Sequence, residues 1–308
     1  MSAETLAFYE QLKKHSCRSD HGAATHDLLL KLVKESVHSV ARMEKIDLVS
    51  RVNGKTYFAL SKNGRRSRAI NHALFSEDAD RVVEQLTLIL QNDRSSMTAD
   101  DITSSVYSAA IAFCACIDIL KDNDQKTPGT FFEYLCAAIM RAVLDVPPQT
   151  SLSVLNLGLE TSLPTDLIFD LGAEKPKFHV PVKTSTRERV IQVWAHQRVL
   201  DGVYGTGRFL GLPLVLAETK TDSKSNEVTE ICLPKQWRLY QMHIAQMWRI
   251  AYLDMPAAYA PLSMVFPPVP VVSLGSLLTS FGDLTQIVEK HREPPLMIPI
   301  PSPTTVVT

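Results

Sequence analysis

LPTDLIFDLGAEKPKFHVPVKTSTRERVIQVWAHQ, Leu163 to Gln197, is the stretch around which the chain is organised. A short apolar run stands behind a proline, Pro164-Thr165-Asp166-Leu167-Ile168-Phe169. A charged turn follows, from Gly172 to Pro176. A second run, Phe178-His179-Val180-Pro181-Val182, ends on Lys183. Beyond it Val190, Ile191, Trp194 and Val199 recur on roughly one side of a helix. The spacing predicts strand, turn, strand, helix, with an acid at the head of one strand and a lysine at the end of its neighbour. Adjacent strands lie about 4.8 Å apart, so Asp166 and Lys183 can meet at one sheet edge and share a phosphate and a metal. The plainer alternative is a strand-end salt bridge.

These residues resemble the PD-(D/E)xK nuclease superfamily, the fold of most type II restriction endonucleases. Pro164-Thr165-Asp166 looks like the first part of that family's motif and Lys183 like its last. Lys183-Thr184-Ser185 with Arg187, Arg189 and Gln192 also resembles the lysine segment of restriction enzymes that cut CCNGG-type sites. The resemblance covers roughly residues 125–235. One departure stands out: Pro181 occupies the place of the family's second acid. Some relatives in the superfamily supply that carboxylate from a helix instead, and Glu133 and Glu188 are the candidates here. Asp170 shares strand parity with Asp166 and ranks below it.

The resemblance implies an α/β fold with a central mixed β-sheet flanked by helices. It implies a sequence-specific endonuclease for double-stranded DNA, working with Mg²⁺. Asp166 and Glu133 would hold the metal, with the carbonyl of Val182 in a further position. Lys183 would serve the attacking water. Thr184, Ser185, Arg187, Arg189 and Gln192 would contact DNA, and His196, Gln197 and Arg198 are further long polar side chains on the same helix. Cutting both strands needs two sites, so a homodimer is expected. The alternatives are a repair or branched-DNA nuclease of the same superfamily, and a non-catalytic helical interaction protein in which Asp166 and Lys183 are structural.

The rest of the chain is read around this core. Its 308 residues, 45% hydrophobic, are enough for two domains or one large one. A net charge of -1 gives no global nucleic-acid signature, so binding must rest on local patches. Five cysteines, an odd number, fit reduced thiols better than disulfides or a zinc site. The polar N-terminus lacks a signal-peptide core, and the most apolar stretch, Val106 to Leu120, is short for a bilayer. A cytoplasmic protein with no membrane contact is expected.

Residues 1–124 read as a mostly helical region. It includes a hairpin about Asn53-Gly54 and then a flexible basic loop, in which Arg65, Arg66 and Arg68 suit phosphate contacts. Residues 125–308 read as the α/β core with a proline-rich tail. In it a helix is expected from Phe131 to Leu144, capped by Thr127 or Thr130, with Glu133 in its first turn. Buried strands are expected at Leu210–Thr219 and Val228–Leu233, completing the far side of the sheet, and a helix at Trp237–Tyr252.

Overall fold

Leu12, Leu29, Leu32, Val33, Val37 and Val40 are buried together, because the apolar spacing near the N-terminus builds two facing helices, α1 (Ala3–Ser16) and α2 (Ala23–Ala41). The computed structural model describes residues 3–16, 23–121, 124–156, 159–172, 175–222 and 224–281. Cys17, one of the five cysteines, and the proline-rich tail from residue 282 lie outside them.

β1 (Glu44–Ser50) and β2 (Tyr57–Lys62) form the hairpin expected about Asn53-Gly54. The next segment is not a loose loop. β3 (Arg65–Arg66) folds straight back on β2 across Asn63-Gly64, both at positive φ, and β4 (Ile70–Asn71) pairs with β2 as well. Two central residues with positive φ are what the twist of a tight hairpin demands.

α3 (Ala79–Leu90) starts at Asp78, whose carboxylate accepts from the Arg81 amide. α4 (Ala99–Leu120) starts with a Thr98–Asp101 capping box. By length and composition α4 is apolar enough to cross a bilayer, but it lies buried inside the protein as its core helix. α5 (Lys126–Leu144) begins earlier than expected, because the Asp124 carboxylate accepts from the amides of Lys126 and Thr127 at 3.1 and 2.9 Å. Glu133 therefore sits beyond the first turn, out of reach of the helix N-terminal dipole.

A long hairpin follows, β5 (Pro148–Asn156) and β6 (Leu159–Phe169), then β7 (Lys177–Val180) and β8 (Val182–Lys183). The single strand expected through Pro181 is two strands, since proline has no amide to donate. α6 (Val190–Tyr204) leads to β9 (Phe209–Gly211) and β10 (Leu214–Val215), split likewise at Leu212-Pro213. The two breaks lie side by side. The Leu212 amide donates to the His179 carbonyl and the Leu214 amide to the Pro181 carbonyl, both at 2.8 Å. The parallel register thus runs on from β7–β9 into β8–β10. The result is one curled, mixed sheet, as the resemblance implies.

β11 (Thr219–Thr221) and β12 (Glu227–Glu230) do not extend that sheet. They pair with each other, and β12 pairs with β1. The Lys55 amino group ties this region to the core through Glu230 and Asp254, at 2.7 Å each. α7 covers only Pro234–His243. Part of the expected helix is β13 (Ile250–Tyr252), which adds to β10 in parallel. β14 (Val271–Ser273) extends the sheet and α8 (Leu274–Ser280) packs against α4.

The two faces of the curled sheet bury different cores. Leu167, Phe169, Phe178, Val180 and Leu214 pack with α1 to α5 and α8. Val215, Ile250 and Tyr252 pack with Val190, Val193 and Trp194 of α6 and Trp237 of α7. The Trp194 and Trp237 rings meet edge-on at 5.4 Å. Ile191 and Val199, expected on the packed side of α6, are largely exposed. Cys114, Cys116 and Cys136 are free and buried, and Cys232 is free and half-buried.

Candidate active site

The site lies at the Pro181 break. Leu167 pairs with Val180, so Asp166 stands next along β6, opposite the proline. Past Pro181 the carbonyls of Pro181 and Lys183 accept from the Leu214 and Leu216 amides of the β10 side. Backbone groups alternate sides along a parallel strand, which turns the amide and carbonyl of Val182 the other way. Its amide donates to Asp166 Oδ2 at 2.8 Å. The same oxygen accepts from Lys183 Nζ at 2.5 Å. Asp166 and Lys183 thus meet at the sheet edge as their spacing predicts.

Glu133 stands nearby on α5, which packs on β6 and β8. Its carboxyl is raised to about 7, first by burial and then by the charge of Asp166, with Lys183 pulling the other way. Among the described residues Glu133 has no hydrogen-bond or ion-pair partner, and burial and Asp166 together outweigh the pull of Lys183. The Glu133–Asp166 pair is the sort of carboxylate pair a divalent ion relieves. No set of three His, Cys, Asp or Glu side chains converges among the described residues, so any cation here would draw on two carboxylates, backbone and water.

The other expected acids fall elsewhere. Asp170 pairs with Lys177 at 2.5 Å, at the far end of β6 and β7, and lines a separate pocket of about 410 Å³. The side chain of Glu188 lies outside the described residues.

Beside Lys183 opens a cleft of about 630 Å³. Arg66 and Arg68 from the β3 region line it together with Lys121, Thr184, Ser185, Thr186, Arg187 and Arg189. Two stretches far apart in sequence, both expected to touch DNA, thus share one surface. Their members differ. Arg68 is committed to Asp118 through Nε and a terminal nitrogen, at 2.8 and 2.9 Å. Arg65 caps the end of α4 by donating to the Leu120 carbonyl at 2.8 Å, and does not line the cleft. Arg66 is exposed and bonds to the Asn226 side chain. Arg187 donates to the Thr219 carbonyl at 3.2 Å, while exposed Arg189 has no side-chain partner among the described residues. Gln192 is exposed on α6, outside the cleft.

Gln197 is buried, not a groove reader. Its amide nitrogen donates to the Phe209 carbonyl at 2.9 Å and to Asp201 at 3.0 Å. That leaves its oxygen to accept from His179 Nδ1 at 3.0 Å, and burial lowers His179 to about 4. Glu218, passed over in the sequence as part of a buried strand, is the other polar group at this edge. It is buried and accepts from Ser185, Thr186 and Tyr252.

No protein-family model matches the chain, and no curated protein sequence matches it. Among solved structures the chain is similar to the type IIP restriction endonuclease Kpn2I. The TM-score is 0.76 at 21% identity, over 91% of this chain and 98% of that one. The complex of restriction endonuclease PspGI with substrate DNA aligns over 69% of this chain and 93% of that one, at 11% identity and a TM-score of 0.40, too weak a likeness to carry weight. With the curled mixed sheet, the helices on both faces and the near full-length overlay, the chain has the fold of a type II restriction endonuclease.

Proposed function

We propose that the protein is a sequence-specific endonuclease that hydrolyses phosphodiesters of double-stranded DNA with Mg²⁺. The observation that carries this reading is the Asp166–Lys183 pair, with Glu133 close enough to feel the charges of both, beside a cleft to which five basic side chains contribute. A structural salt bridge accounts for Asp166 and Lys183 alone. It leaves unexplained why a second carboxyl, Glu133, is half-buried where the charge of Asp166 acts on it.

Glu133 and Asp166 would hold the metal, with the Val182 carbonyl turned to their side of the strand as a further ligand. A bound divalent ion supplies charge neutralisation at the scissile phosphate and a more acidic water. The chain's own residues do the rest. Asp166 fixes the Val182 backbone and the Lys183 ammonium together. Lys183, next in the chain to Thr184 of the cleft wall, orients the attacking water and offsets negative charge developing on phosphate. Arg66, Arg187 and Arg189 approach phosphates or base edges as exposed donors. Arg68, paired with Asp118, shapes that wall with Ser67, while Arg65, Thr184, Ser185 and Gln192 take secondary positions. Cleavage of both strands calls for two such sites, and a two-fold homodimer supplies them.

Incubating the purified protein with plasmid and Mg²⁺ tests the reading. Discrete fragments that disappear with EDTA are expected. An intact plasmid at every Mg²⁺ concentration would contradict it.

A further inference from the structure

Glu218 lies just past the end of β10 at 1% exposure. No lysine or arginine pairs with it among the described residues. Every group that touches it donates. Ser185 Oγ donates to Oε2 at 2.8 Å, and Thr186 Oγ1 to Oε1 at 2.5 Å. The Thr186 amide spans both oxygens at 3.0 and 3.2 Å, and the Tyr252 hydroxyl reaches Oε1 at 2.9 Å. Burying a carboxylate is costly, and apolar packing commonly serves stability as well or better. What only a carboxylate offers is two oxygens that accept and never donate.

Most of these donors sit on Ser185 and Thr186, two of the three residues between Lys183 and Arg187. The strand ladder fixes the path up to this point, with the Leu216 amide on the Lys183 carbonyl at 3.0 Å and the Ala217 amide on Thr184 at 3.2 Å. There the ladder ends and Glu218 takes over. Beyond it Arg187 has φ +34°, a conformation that side-chain-bearing residues rarely adopt and that persists only where neighbours enforce it. Arg187 and Arg189 then stand exposed at the cleft.

We infer that Glu218 is a positioning residue: it sets where Arg187 and Arg189 stand relative to Lys183, and so links recognition of the DNA sequence to the cutting of its backbone. This rests on the nuclease reading above. Glu218 touches neither metal nor DNA; it acts through Ser185 and Thr186.

The test uses a pool of duplexes with a randomised segment, Mg²⁺ and the full chain, and sequences the cut ends. Wild type gives ends sharing one sequence. Glu218→Gln, which keeps the volume and turns one acceptor into a donor, lowers the ratio of cutting at that sequence to cutting at single-base variants by about tenfold, the worth of one displaced base contact. Thr186→Val, which deletes one donor from an otherwise intact segment, shifts the ratio the same way and carries the test if the Gln variant melts. The double variant is no worse than the worse single, because both break one link. Unchanged ratios, or an equal loss at preferred and altered sequences, overturn the inference while the nuclease reading stands. A wild type that cuts nothing overturns both.

Discussion

Asp166 receives the Lys183 ammonium across the Pro181 break, at 2.5 Å, with the Val182 amide on the same oxygen. The proline that stands in place of an acid separates the two strands without shifting the register, and the ordinary alternation of the backbone faces the Val182 amide toward Asp166. Lys183→Ala removes the ammonium and leaves that backbone arrangement. Cleavage is expected to fall by orders of magnitude while DNA binding in Ca²⁺ survives. A single-turnover assay decides it, and an unchanged rate takes Lys183 out of the mechanism.

Glu133 carries a pH signature that needs no substrate. Its carboxyl rises from 4.5 to about 7 in the folded protein, chiefly by burial. A raised carboxyl favours folding while it is protonated, so that contribution is present below pH 4.5 and is lost as pH rises toward 7. Without divalent ions, Glu133→Gln is therefore expected to melt above wild type at pH 8 and level with it at pH 4. Mg²⁺ should narrow the gap at pH 8 by stabilising wild type alone. A gap of equal size at both pH values refutes the shift. In cleavage assays the same variant is expected to be inactive.

The arginines near the hairpin are expected to separate. Arg66→Ala should weaken binding to all DNA sequences alike and reduce the salt slope by about one unit. Arg68→Ala should act on the fold, because it strands Asp118, whose side chain is only 14% exposed. Loss of such a pair costs about 3–5 kcal/mol when fully buried and less here. Denaturant melts and binding at several salt concentrations tell the two apart. A salt-slope change for Arg68→Ala without loss of stability would reverse the assignment.

Gly211 ends β9 under the Gln197 amide. A Cβ there would stand 2.6 Å from Met247 Sδ and 2.8 Å from Gln197 Oε1, the atom that receives His179. Gly211→Ala is expected to cost about 1–3 kcal/mol, the usual penalty of overpacking, as measured by urea melts. Wild-type stability would mean that Met247 and Gln197 yield freely.

Local signals carried much of this structure. Asn53-Gly54 and the period of α2 were readable one window at a time, and so was the approach of Asp166 to Lys183 at neighbouring strand ends. Pro181 is visible as an oddity, but that the ladder carries on past it depends on β9 and β10, partners remote in sequence that break at the same level. The helix expected through Tyr252 ends at His243: Leu239 and Met242 supply helical spacing yet stand 55% and 47% exposed, and the buried residues of α7 are Trp237 and Gln241. Asn63-Gly64 was hidden by the charges around it. Glu218 left no trace, since its donors come from Ser185, Thr186 and Tyr252, and only the fold brings them to one carboxylate.

The claim on which the rest depends is that Glu133 and Asp166 form one metal-binding centre. Anomalous diffraction from crystals soaked in Mn²⁺ at pH 8 addresses it directly. A peak is expected between the two carboxylates, with oxygens of both at about 2.1 Å, as octahedral oxygen ligation requires. Density showing Asp166 still closed on Lys183, with no ion beside Glu133, would contradict it.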